Sequence, residues 1–235
     1  YRNIPNDYSY KSKYIKKNGE KIKILILGSS YSWGGVNPEI FEQKSFNFAL
    51  PGQSINYDLY ILNKYSEYLP NLKYVILPVS YTTLTTLMDE TNFSWREDNY
   101  IYYLNYKEYP LKDRLKLNTY FSIYKQNSML IFNELYNYWF KNENHIRSEN
   151  NGWLRFELRR TNDLIISGKL RSRYVDHSYN FDLTSNYMIE IIRICEINNY
   201  KLILFTPPFT RHFLHHLDSR KWTKINNICD SLDKN

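Results

Sequence analysis

The chain has 235 residues, 43% hydrophobic and 23% charged, which is ordinary globular usage and excludes wholesale disorder. No run of about 18 apolar residues occurs, so nothing in the sequence reads as a membrane-spanning helix. Cys195 and Cys229 are too few for a metal framework or a disulfide scaffold, and they leave a single bridge open. The net charge of +7 suits a polyanionic partner, but it is spread thinly through a chain biased to Tyr, Asn, Lys and Ile. No RNP-type, Cys/His or helix-turn-helix pattern accompanies it, so nucleic acid is not an expected partner.

Residues 1–21 are polar, rich in Lys and Tyr and without pattern, and read as a lead-in segment. They show no signal-peptide pattern; because the chain opens on Tyr1 rather than Met, a removed N-terminal piece is the expectation. Residues 21–27 form a short Ile-rich run closed by Gly28, the look of a buried parallel strand. "VNPEIF" fits a short helix with Pro38 near its start, and "SFNFAL", stopped by Pro51-Gly52, a second strand. Over residues 54–69, Ile55, Leu59, Leu62 and Tyr65 recur at helical spacing behind Ser54 as N-cap. "LKYVILPV" repeats the strand signature.

Residues 82–180 break this rhythm. They hold aromatic stretches ("NYIYYLNYKEY", "YNYWF") and a basic one ("WLRFELRRTNDLIISGKLRSRY"), and read as a mostly helical insertion. A helix over 184–199, a fourth strand "KLILFT" ended by Pro207-Pro208, and a helix over 217–233 follow. Short alternating strands and helices predict one α/β domain over 1–235: an open parallel sheet with helices on both faces, flavodoxin-like, in the order 2-1-3-4. A fifth strand is expected after the last helix, and the sequence stops at Asn235 before one appears.

In such a sheet, ligands sit beyond the carboxyl ends of the strands, where the strand order reverses. Ser29, Ser30 and Tyr31 follow the first strand, Gly52 and Gln53 the second and Ser80 the third, so three segments converge on one crevice. A serine hydroxyl needs a base to take its proton and donors aimed at the developing oxyanion. A strand-to-helix turn and a glycine that lets a backbone N–H approach closely supply such donors. Taken alone, "GSS" reads as an ordinary structural turn.

The combination of "ILILGSSYSWGGVNP", "FNFALPGQSINYDLYIL" and "LKYVILPVS" resembles the SGNH (GDSL-like) hydrolases, in particular bacterial cell-envelope members akin to acyltransferases and esterases of surface-polymer modification. The resemblance covers residues 8–80, returns at "INNYKLILFTPPF" and is thin between. It implies Ser30 as nucleophile, with Ser29 where the family's aspartate often stands, and Gly52 as an oxyanion donor through its N–H. The family's third block carries an asparagine donor; here it reads Pro78-Val79-Ser80-Tyr81, so the asparagine is absent and Ser80 is a candidate substitute. The resemblance further implies an acylated carbohydrate or surface-polymer substrate, no cofactor, a bacterial envelope location, and membrane association only through a segment outside these residues.

The family's Asp-x-x-His is missing, and three readings stay open: the sequence stops before it, another histidine serves, or the chain is an inactive relative that binds a glycan or an assembly partner. His212, His215 and His216 lie beyond the fourth strand as base or substrate-contact candidates. His212 and His216 are spaced to face one side of a helix, but no Glu or Cys accompanies them, so no metal site is expected. Asp176-His177 reads as a local turn pair, most of the aromatic content as core rather than a sugar-stacking surface, and the 155–173 basic stretch as a solvated face.

Overall fold

The computed structural model describes residues 5–91, 94–106, 136–137, 139–141, 145–155, 180–209, 211–214 and 222–227. Strands β1 (Ile24–Ile26), β2 (Ser45–Asn47), β3 (Tyr74–Pro78) and β4 (Lys201–Phe205) form one parallel sheet in the order 2-1-3-4, as the sequence predicts. Around it lie α1 (Asp7–Asn18), α2 (Ser30–Gly35), α3 (Ile55–Tyr65), α4 (Tyr81–Thr85), α5 (Glu97–Leu104), α6 (Phe181–Ile197) and α7 (Arg211–Leu214). Among the described residues no helix is long and apolar enough to cross a membrane.

Alternation along the strands divides the core in two. Leu25, Phe46, Val75 and Leu77 face a large cluster that takes Ile15 from α1, Ile61 and Leu62 from α3, and Met188 and Ile191 from α6. Ile24, Ile26 and Ile76 face the other way, onto Val36, Phe41 and Phe205. Burial on both sides is why β1 and β3 read as unbroken apolar runs, whereas β4, at the edge of the sheet, is exposed or half-buried along its length. Each fully buried aliphatic side chain contributes roughly 1.5–3 kcal/mol. The runs outlast the strands: Leu27, Phe48, Ala49 and Leu50 are fully buried beyond the last paired residues. They carry the chain into the loops above the sheet.

Two local expectations are corrected, and a third, Ser54 as N-cap, holds in position but without a side-chain cap bond. The lead-in segment contains α1, opened by a capping box in which the Asn6 side chain accepts from the Ser9 N–H and Ser9 Oγ accepts from the Asn6 N–H. Its buried stripe is Tyr8, Lys11, Ser12 and Ile15, and two polar members hide the helical period. "VNPEIF" makes only a 3-10 turn, Pro38–Ile40, with the Asn37 side chain accepting from the Glu39 N–H. Ser54 stands at the N-cap position of α3, but its hydroxyl donates to Asn56 Oδ1 at 2.7 Å and accepts from the Met88 N–H at 3.2 Å.

Within the expected insertion, α5 packs on α1, and residues 145–155 form a strap across α1, α2 and β2. The Asp7 carboxylate accepts from the N–H groups of Arg147 and Ser148. Trp33 Nε1 donates to Ser148 Oγ and the Leu154 N–H to the Trp33 carbonyl. Trp153 Nε1 donates to the Gly34 carbonyl, so the strap holds the second half of α2.

Candidate active site

At the carboxyl end of β1 the chain turns through Gly28 into α2. Gly28 has φ +107°, and a Cβ there would lie 2.4 Å from Pro78 Cγ and 2.9 Å from Ser32 Oγ. The turn is therefore closed to any other residue. Ser29 is the N-cap: its extended backbone presents its carbonyl to the N–H groups of Ser32 and Trp33, both at 3.0 Å, while its side chain makes no cap bond. Ser30 opens the helix, and both serines are half-buried rather than sealed in the core. The first N–H groups of a helix have no acceptor within it.

Beside this turn, the end of the second strand segment reverses through Leu50-Pro51-Gly52-Gln53. The Gln53 N–H donates to the Leu50 carbonyl at 3.1 Å and Gly52 has φ +75°, which with Pro51 ahead of it is the signature of a type II turn. Arg96 holds the Pro51 carbonyl with an N–H donated at 3.0 Å. In a trans planar peptide the C=O and the following N–H point in opposite directions, so this clamp turns the Gly52 N–H away from Arg96. Gly52 itself is exposed.

The two turns are joined twice. The Leu50 N–H donates to the Gly28 carbonyl at 3.2 Å. Beneath them, Oδ1 of Asp58 accepts from the Gly28 N–H at 2.7 Å and from Gln53 Nε2 at 2.5 Å. Tyr100 of α5 donates its hydroxyl to Gln53 Oε1 at 3.1 Å, which fixes the amide's orientation. Asp58 is 1% exposed; burial pushes its carboxyl up to about 7, against the two hydrogen bonds that favour the charged form.

The remaining sequence-predicted positions fall as follows. Ser80 is fully buried at the N-cap of α4, where its Oγ accepts from the Thr83 N–H and bonds the hydroxyls of Thr82 and Thr83. Its hydroxyl is committed to that cap. The Phe209 ring meets the Tyr31 ring edge-on, with centroids 5.6 Å apart, so the loop after β4 reaches the residue next to Ser30. His212 is the second residue of α7, just beyond that contact. His215, His216, Asp176, His177 and Cys229 lie outside the described residues. Cys195 is a free buried thiol, pushed up to about 12 by burial. Among the described residues no group of three His, Cys, Asp or Glu side chains could hold a metal ion. A cleft of about 500 Å³ lined by Tyr14, Glu39, Gln43 and Asn151 opens beside Lys44 and Ser45, at the amino end of β2 and the opposite edge of the sheet.

The residue that sequence reasoning missed is Asp58. Its signal was present: it lies three after Ile55 and three before Ile61, a carboxylate inside the buried stripe of α3. Comparison of the chain with protein-family models, with curated proteins and with solved structures returns no match in any of the three.

Proposed function

We propose that this chain is a serine-dependent esterase or O-acyltransferase acting on a cell-envelope carbohydrate polymer, with Ser30 as nucleophile. The observation that supports it most is the tying of the Ser29-Ser30 turn and the Gly52 turn to one carboxylate oxygen, at the carboxyl edge of a parallel sheet where its strand order reverses. In the reaction, Ser30 Oγ bonds to the acyl carbon as a base takes its proton. The ester C–O bond breaks and the leaving alcohol collects that proton. Water or a sugar hydroxyl then takes the acyl group from Ser30 by the same steps in reverse. The N–H groups of Ser30 and Gly52 are the proposed oxyanion donors. The histidines after β4 are the base candidates, and the Tyr31–Phe209 contact supports that assignment. The substrate class rests on the SGNH resemblance alone.

A second reading, a module of the same fold that binds a glycan or a partner without chemistry, is favoured by one observation: the Ser80 hydroxyl, the expected donor of the third segment, is committed to the α4 cap. Intact-mass detection of a fluorophosphonate adduct tests the enzymatic reading. An adduct on the wild-type chain that disappears in Ser30→Ala is the expected result. A wild-type chain that stays unmodified while remaining folded overturns the reading that residues 1–235 by themselves hold an activated Ser30.

A further inference from the structure

We propose that Asp58 is a positioning residue that fixes the Ser30 turn against the Gly52 turn through a single shared oxygen. The inference deepens the serine reading above, and its kinetic arm rests on that reading. A buried carboxylate is a demanding way to satisfy one backbone N–H, since any small acceptor would do. What distinguishes Asp58 is that Oδ1 serves two turns at once: the Gly28 N–H, two residues before Ser30, and Gln53 Nε2, one residue after Gly52. Both bonds run to the same atom, so Gly28 and Gln53 cannot separate without breaking one of them. Tyr100 extends the tie to α5 through Gln53 Oε1, and Arg96, just before α5, clamps the carbonyl ahead of Gly52. A nucleophile and an oxyanion donor on different loops need such a tie, because a misplacement of about 1 Å costs on the order of 100-fold in rate.

The ionisable group facing Asp58 is the Tyr100 phenol, whose surroundings are Tyr8, Tyr57 and Arg96. Burial raises all three of these phenols well above their ordinary value, so between pH 5 and 9 this cluster changes charge at Asp58.

Leu27-Gly28 and Pro51-Gly52 are each the one Leu-Gly and the one Pro-Gly pair in the sequence. Carbonyl-13C leucine or proline combined with 15N glycine therefore selects each amide alone by NMR. In the wild-type chain the Gly28 amide proton is expected downfield and to titrate between pH 5 and 9. Asp58→Asn keeps a neutral acceptor, so it should abolish that titration and leave labelling within about threefold of wild type at the acid end. Asp58→Ala should shift both the Gly28 and the Gly52 resonances and slow labelling at least tenfold.

Wild-type labelling by a folded Asp58→Ala variant overturns the proposal, as does a Gly52 resonance that does not move in it. If Asp58→Ala fails to fold, Asp58→Asn decides: a Gly28 titration that survives in that variant overturns the proposal. If the wild-type chain does not label at all, the reading of an activated Ser30 within these residues falls by itself, and the two glycine resonances still decide whether Asp58 ties the turns.

Discussion

Gly28 carries the tightest steric constraint near Ser30. A methyl group there meets Pro78 Cγ at 2.4 Å on a backbone with φ +107°, so Gly28→Ala combines backbone strain with overpacking. Each of these effects is worth about 1–3 kcal/mol, and together they predict a loss of about 2–5 kcal/mol in urea unfolding, with Ser30 labelling lost as well. An alanine variant with a wild-type midpoint and labelling rate would show that the turn has another conformation available. At this scale "GSS" was legible as a turn because glycine and serine advertise one. Asp58 was not, because an isolated acid in a helix reads as a solvated residue unless its place in the stripe is noticed. Ile55, Leu62 and Tyr65 of the expected stripe are buried, but Leu59 is only partly so, and Asp58 occupies the inward position beside it.

Among the elements, strands were the most legible. A strand buried on both faces shows itself as an apolar run, as β1 and β3 do; the edge strand β4 has the same look while exposed or half-buried, and all four runs contain an observed strand. Their ends were not legible, since burial continues past Asn47 and Ile26 where pairing stops. Helix α1 was missed for a physical reason: the groups it buries are a carboxylate, a phenol, an amine and a hydroxyl beside Ile15, each satisfied or packed by residues far along the chain. Lys11 Nζ donates to the carbonyls of Ala49 and Gly152, and the Ser12 hydroxyl accepts from Tyr65. Local sequence cannot announce such partners. Its capping box could have been read from Asn6 and Ser9 alone. Asn6→Ala is accordingly expected to lower stability by about 1 kcal/mol, with the loss in the first turn of α1. Hydrogen exchange checks it: the amides of residues 7–10 should exchange faster while those of β1 and β3 change only through global unfolding. Unchanged protection in the first turn would count against the cap as the helix's anchor.

For the whole molecule, two buried ionisable groups that each bond the chain after β2, Lys11 at Ala49 and Asp58 at Gln53, predict the shape of its pH–stability curve. Asp58, pushed up by burial from 3.8 to about 7, makes the folded chain hold a proton that the unfolded chain has released. Stability from this group is therefore complete below about pH 4 and is lost as pH rises to 7. Lys11 works in the opposite sense. Burial lowers it from 10.5 to about 7, with Asp7 opposing the shift, and a neutral amine still has two N–H groups for its two carbonyl acceptors. Above pH 7 the unfolded chain holds the extra proton, so stability climbs with pH. The climb is clean only to about pH 9, where the buried Cys195 thiol begins to reverse the slope, followed by the buried tyrosines. The two limbs meet in a shallow minimum near pH 7. Thermal unfolding between pH 4 and 9 should show that minimum, with the alkaline limb removed by Lys11→Met and the acid limb by Asp58→Asn. Lys11→Met should also be less stable throughout, because it leaves the Ala49 and Gly152 carbonyls without their donor, at about 1–3 kcal/mol for each such buried group. A climb between pH 7 and 9 that persists in Lys11→Met would mean that the amine stays charged inside the fold, held by those carbonyls and by the Trp33 ring 5.6 Å away.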